Sequence, residues 1–281
     1  MIFLGLEGSF PRAANNYQLE VSLPYDKAFR WVDEIRRYLR AGHITAIRLE
    51  RLIGKLGFSQ TNLFGEFART QLKPLYRKLY AARFIPQLSI IESRILHWWS
   101  RILLSLNPRI PRGISRIPDF IIYTGAATLS NKMAALAFSR KGDAPVISQL
   151  LVSNVPRFWK NHFHRKNIIL GSEMLAPIAF LRSDPRLFRH KRANLYMDND
   201  PSANALIRGG CGNPFLASTV CIFWKIVDAY PLDVWIGRVA PGANPSDLPT
   251  RGVKLTFEIK NIAQLKNLYK LLQETLIFLR S

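Results

Sequence analysis

Three acidic residues stand where mixed α/β chains usually place their chemistry. Asp198 closes the apolar run Leu195-Tyr196-Met197 and precedes a turn into a helix. Glu173 opens an apolar helical stretch. Asp247 lies in Asn244-Pro245-Ser246-Asp247-Leu248-Pro249, just after the apolar run Trp235 to Val239. In such sheets, sites form beyond the carboxyl ends of strands and at helix starts. Carboxylate oxygens gathered there suit hard divalent cations. Two magnesium ions about 4 Å apart can activate a water and stabilise the leaving oxygen of a phosphodiester. Taken singly, each acid has a plainer reading: Glu173 and Asp198 as acids at favourable helix-dipole ends, Asp247 as a turn former. Taken together, their order and spacing favour one shared site.

The elements that would position them follow from periodicity. Phe120 to Tyr123 reads as a buried strand, with Met133 to Phe138 as its hairpin partner and Ile168 to Leu170 as a short third strand. A helix over Glu173 to Leu181, a central strand over Asn194 to Met197 and a helix from Pro201 come next. The helix Phe215 to Tyr230, the strand Val234 to Val239 and a terminal helix Ile262 to Leu279 complete the set. Strands alternating with helices at this spacing predict an α/β domain. Upstream, residues 2–23 suggest a hairpin. Phe29, Val32, Ile35, Tyr38 and Leu39 mark a helix stopping near Gly42, and a second helix follows Thr45. A third stretch over 60–80, interrupted near Pro74, and a fourth over 87–105 precede a Pro- and Gly-rich linker. The expected organisation is a hairpin and helical domain over 1–106, a linker over 107–118, an α/β domain over 119–258 and a C-terminal helix over 259–281.

Charge narrows the partners. The chain has 40 Lys and Arg against 19 Asp and Glu, a net +21, shared almost evenly between residues 1–114 and 115–281. Such a field attracts polyanions. No apolar run reaches the 18 or so residues of a membrane span, so nucleic acid is the expected partner and membrane is not. Arg157, Lys160, Arg165, Lys166, Arg182, Arg186, Arg189, Lys191 and Arg192 alternate with Phe158, Trp159, Phe163 and Phe188, a mix suited to phosphates and unpaired bases. Arg36, Arg37, Arg40, Arg48, Arg51 and Lys55 offer a second basic wall, and Arg208 could meet a phosphate near Asp198. His162, His164 and His190 lack metal-ligand spacing. Cys211 and Cys221 read as reduced thiols. Met1 to Leu6 is a short apolar run, read as a strand rather than a signal peptide, so secretion is not expected, and a nucleus or a mitochondrion suits the charge.

At these residues the chain resembles a known family. Ile122-Tyr123-Thr124-Gly125-Ala126-Ala127-Thr128, Glu173-Met174-Leu175-Ala176, Tyr196-Met197-Asp198-Asn199-Asp200 and Asn244-Pro245-Ser246-Asp247-Leu248-Pro249-Thr250-Arg251 look like the ribonuclease H domain of retroelement reverse transcriptases, DIRS-type and related elements above all. Phe3-Leu4-Gly5-Leu6 looks like the strand after the polymerase palm motif. Leu52-Ile53-Gly54-Lys55-Leu56-Gly57-Phe58 is similar to the thumb or connection region. The resemblance implies a ribonuclease-H-like mixed sheet flanked by helices, preceded by a mainly helical thumb-like domain. It also implies that Glu173, Asp198 and Asp247 descend from catalytic metal ligands.

Two departures shape the expectation. The palm motif with paired aspartates is absent, as if the chain starts after it, so polymerisation is not expected. The family's aspartate after Tyr-Thr, its metal-bridging ligand, is Gly125 here. Asp119 lies about 20 Å back along the strand and cannot replace it; Asp200 would approach from another strand. No cofactor is fixed by the sequence, and magnesium is implied only if Glu173, Asp198 and Asp247 still hold it. Three readings follow. The first is a retroelement-derived protein that binds RNA or RNA–DNA hybrid with a degenerate site. The second is a non-catalytic subunit of a ribonucleoprotein such as a mitochondrial ribosome. The third is a working hybrid ribonuclease that uses Asp200 or a water in place of the lost ligand.

Overall fold

The computed structural model describes residues 2–3, 6–9, 12–13, 16–17, 20–105, 117–127, 129–141, 144–156, 159, 168–253 and 255. The chain divides into two compact units, Met1–Ile114 with Ser281, and Ser115–Arg280.

The first unit opens with short strands. β1 (Ile2–Phe3), β2 (Leu6–Ser9) and β5 (Glu20–Ser22) form an antiparallel sheet in the order β1-β2-β5, while β3 (Arg12–Ala13) pairs with β4 (Asn16–Tyr17). Helices then take over. α1 (Tyr25–Ala41) buries Ala28, Val32 and Ile35 on one stripe and stops at Gly42. Gly42 takes φ +68°, and its N–H caps Tyr38 O; a residue with a Cβ adopts that conformation at a cost. α2 (Ala46–Ser59) buries Leu49, Leu52, Ile53 and Leu56.

The expected break at Pro74 lies elsewhere. α3 (Gly65–Leu79) runs through Pro74 with Leu72 and Leu75 buried on either side, and that packing carries the helix past the missing donor. The irregular turn is instead a π turn, Gln60–Phe64, closed by Gly65 at φ +61°. α4 (Ile90–Ser105) starts later than the expected residue 87. A reciprocal cap sets its start: Ser89 N donates to Glu92 Oε2 at 2.7 Å, and Glu92 N to Ser89 Oγ at 3.3 Å. Trp99, Leu52, Leu75 and Leu96 centre the shared core of the four helices.

The second unit is α/β, a mixed five-stranded sheet flanked by helices. β6 (Phe120–Ala127), β7 (Lys132–Lys141) and β8 (Ala144–Asn154) form an antiparallel meander, and β9 (Arg192–Met197) and β10 (Asp233–Arg238) run parallel to β6. The order across the sheet is β10-β9-β6-β7-β8. One expectation is corrected here. Ile168 to Leu170 is not a strand but the first turn of α5 (Ile168–Ser183), and the third strand is β8. Residues 171 to 181 of α5 are all buried, and a helix buried on every side carries no amphipathic period to betray it.

α5 packs on β6 and β7 and against α7 (Asp200–Ile207) and α8 (Pro214–Ala229); the four-residue α6 (Pro185–Phe188) lies between α5 and β9. Both longer helices have asparagine caps with Pro in the first turn. Asn199 Oδ1 accepts from Ser202 N, and Asn213 Oδ1 from Phe215 N and Leu216 N. Ile122, Leu195 and Val234 from the sheet line a small apolar cavity with Pro177, Phe180 and Leu181 of α5. Phe138, Tyr123, Tyr196 and Trp235, one from each of four strands, make a row of neighbouring rings across the sheet. Last comes a one-turn helix, α9 (Asp247–Thr250). The expected helix over 262–279 lies outside the described residues. Among those residues, no helix is long and apolar enough to cross a membrane.

Candidate carboxylate site

The parallel pairing of β6 with β9 builds the site. The register runs Ile122↔Leu195, Tyr123↔Tyr196, Thr124↔Met197. β9 then leaves the sheet, so Asp198 emerges beside Gly125, the next residue of β6. One residue on, the Ala126 N–H meets a side chain: it donates to Glu173 Oε1 at 2.8 Å.

Glu173 was expected in the first turn of its helix. It is the sixth residue of α5, with the sheet beneath it, and only 3% exposed. A helix-dipole role is thereby removed, since the dipole acts within the first turn. Its second oxygen, Oε2, and Asp198 Oδ1 are both buried without a hydrogen-bond partner among the described residues. Burial pushes the proton affinity of Glu173 well above that of an ordinary glutamate. The charge of Asp198 adds to this, the Ala126 N–H opposes it, and Asp247 raises it further. Asp247 begins α9, its Oδ2 2.9 Å from Arg251 Nη2. Its affinity is also raised, by burial first and by Asp198 next, with Arg251 pulling the other way.

The structure thus brings Glu173, Asp198, Asp247 and Gly125 to one end of the sheet. It also places there two residues that the sequence marks only as neighbours of Asp247, Asn244 and Ser246. Asn244 Nδ2 donates to Thr124 O at 3.1 Å, and Ser246 Oγ donates to Asn244 Oδ1 at 2.7 Å. Their burial, 4% and 0% exposed, is the mark that separates them from ordinary turn residues, and it comes from the fold rather than from local sequence. Asp200 takes no part, being paired with Arg238 at 2.7 Å. Asp119, at the far end of β6, binds Arg192 N and Lys191 Nζ.

This residue set does not fit a two-cation centre. Position 125 supplies no side-chain oxygen, Arg251 holds one of the two oxygens of Asp247, and among the described residues no three His, Cys, Asp or Glu are grouped closely enough to hold a metal ion.

The expected basic residues are dispersed. Arg157, Lys160, Arg165 and Lys166, with His162 and His164, lie outside the described residues. Lys191 pairs with Asp119 and Arg192 with Asp233. With exposed Arg189, they sit at or before the start of β9, whose first residue, Arg192, is about 20 Å from Asp198 at 3.3 Å per residue. Arg208 is exposed at the C-terminal end of α7, about 12 Å of helix away from the carboxylate end. In the first unit, Arg51 is exposed on α2, whereas Lys55 is bound to Glu34 at 2.5 Å.

No protein-family model and no curated protein matches the chain. Among solved structures, it is similar to the foamy viral protease-reverse transcriptase dRH in complex with double-stranded DNA, at 14% identity and a TM-score of 0.31 over 85% of this chain and 37% of that one. It is also similar to RNase H1 from the halophilic archaeon Halobacterium salinarum NRC-1, at 16% identity and a TM-score of 0.33 over 45% of this chain and 89% of that one. The chain therefore spans little more than a third of the viral protein.

Proposed function

We propose that this chain binds RNA or RNA–DNA hybrid through a ribonuclease-H-like domain that does not perform two-cation hydrolysis, and that it descends from a retroelement reverse transcriptase. One observation carries the reading: Gly125, where the family that the chain resembles has its bridging carboxylate, stands beside Asp198, and a Cβ built there would lie 2.6 Å from Ser246 Oγ. On this reading the site lacks the carboxylate that bridges the two cations in the family that the chain resembles. The net charge of +21 supports the polyanion partner. Its even spread over both units also favours service as a non-catalytic ribonucleoprotein subunit.

The test uses the purified full chain with a fluorescent RNA–DNA hybrid, single-stranded RNA and double-stranded DNA. Anisotropy should report binding whose logarithm falls linearly with the logarithm of salt. With magnesium, denaturing gels should show no cleavage above a protein-free control. Magnesium-dependent cutting that Asp198→Asn abolishes would overturn the non-catalytic half; an absence of binding at low salt would overturn the rest.

A further inference from the structure

The turn that carries Asp247 does more than pass the site. Ser246 is completely buried and Asn244 nearly so, and their hydrogen bonds form a closed set. Asn244 Nδ2 holds Thr124 O at 3.1 Å, while Asn244 Oδ1 accepts from Ser246 Oγ at 2.7 Å and Ser246 N at 3.2 Å. This set latches the turn to the main chain of β6 at the carbonyl just before Gly125. A Cβ at position 125 would come within 2.6 Å of Ser246 Oγ and 3.2 Å of both Asn244 Nδ2 and Asp247 Oδ1. The first distance is closer than real Cβ atoms approach an oxygen, so something must move. The serine hydroxyl is not free to yield. Rotating it away from Asn244 Oδ1 would leave a buried hydroxyl to find another acceptor, and an unsatisfied one is costly.

Building on the reading that position 125 holds no ligand, we propose that the Ser246 hydroxyl, latched by Asn244, occupies the space of a side chain at position 125. The site is then altered at two coupled positions: glycine at 125 and serine at 246 are a matched pair. Restoring an acid at 125 alone would collide with the turn, displace Asn244 and disturb Asp247. Ser246 and Asn244 are positioning residues that act through Asp247 and the β6 main chain.

A four-protein cycle on the full chain tests this: the parent, Gly125→Ala, Ser246→Ala and the double variant, compared by thermal unfolding. Gly125→Ala should lower the midpoint, and the double variant should lie well above the sum of the two single losses. Additive losses would overturn the proposal, as would a Gly125→Ala protein as stable as the parent. A second arm reads cation binding directly, by titrating manganese into Gly125→Asp and into Gly125→Asp with Ser246→Ala. The double variant should bind manganese roughly tenfold more tightly than either Gly125→Asp or the parent. Equal affinity in the single and double variants would overturn the coupling. Neither arm uses nucleic acid, so failure of the nucleic-acid reading leaves these results intact, and failure here leaves that reading to its own assay.

Discussion

The helical unit and the carboxylate end of the α/β unit treat acidic residues in opposite ways. In the helices, Asp26, Asp33, Glu34, Glu66 and Glu92 each face a cation: Arg30, Arg37, Lys55, Arg69 and Lys78. Three of those pairs arise from spacings of three or four residues along one helix, so local geometry supplies the partner. At the sheet end, Glu173, Asp198 and Asp247 come from three distant segments, and only Asp247 has an ion-pair partner, Arg251, among the described residues. Two of their oxygens are buried without a hydrogen bond among the described residues. Charge in the first region serves the fold, whereas in the second it works against it. A cluster that costs stability where it stands is where a binding or catalytic history is most readily looked for.

The comparison is tested hardest at Lys78. Its side chain is only 7% exposed, and its Nζ binds Glu92 Oε2 at 3.0 Å and Gln87 O at 2.6 Å. It also lies 5.6 Å from the centre of the Phe84 ring. Lys78→Met keeps the stem and removes the charge, stranding a largely buried Glu92. The expected loss is about 3–5 kcal/mol, read by urea unfolding and by faster hydrogen exchange in α3 and α4. A loss below about 1 kcal/mol would mean that this pair is solvated like the others, and that the helical unit holds no buried charge of consequence.

Glu173→Gln should move stability the other way. The folded state raises the proton affinity of Glu173 above its unfolded value, so between those two values the native protein binds more protons than the unfolded chain. Stability from this group is therefore fully present below the ordinary glutamate range and is lost as pH rises through the raised one. Glutamine copies the protonated side chain, keeps an acceptor for the Ala126 N–H and removes the repulsion from Asp198. The variant should melt a few degrees higher at pH 7, with the advantage shrinking toward nothing near pH 4. A variant less stable than the parent at pH 7, or a gap that ignores pH, would show that this carboxylate is not held against its own charge.

How much could be read beforehand depended on how many faces of an element are wet. α1 and α2 have one apolar stripe each, so their period was plain. α5 is buried all round, and its first turn was mistaken for a strand because three apolar residues in a row suit either. β8 escaped notice because Gln149, 3% exposed, puts a polar residue at a core position, and because its pairing with β7 skips Ser148, an extra residue that breaks the alternation of β8 itself. Glu173 and Asp198 were visible because one opens and the other closes an apolar run, and Asp247 because it is the acid of the segment that follows the last apolar strand. Asn244 and Ser246 were not, since nothing local distinguishes a polar turn in water from one folded against a strand 120 residues away.

The smallest effect belongs to the most exposed pair, Asp26 with Arg30, whose side chains are 76% and 73% exposed. Arg30→Ala removes a solvated contact and gains the best helix former in its place, so stability should change by no more than about 0.5 kcal/mol. Asp26→Asn should cost slightly more than Arg30→Ala. Asp26 sits in the first turn of α1, where a carboxylate also interacts with the unsatisfied N–H groups of the helix start. Raising the salt concentration should shrink both effects. If Arg30→Ala instead rivals Lys78→Met, exposure is a poor guide to the worth of charge in this protein, and the contrast between its two regions lies in something other than solvent.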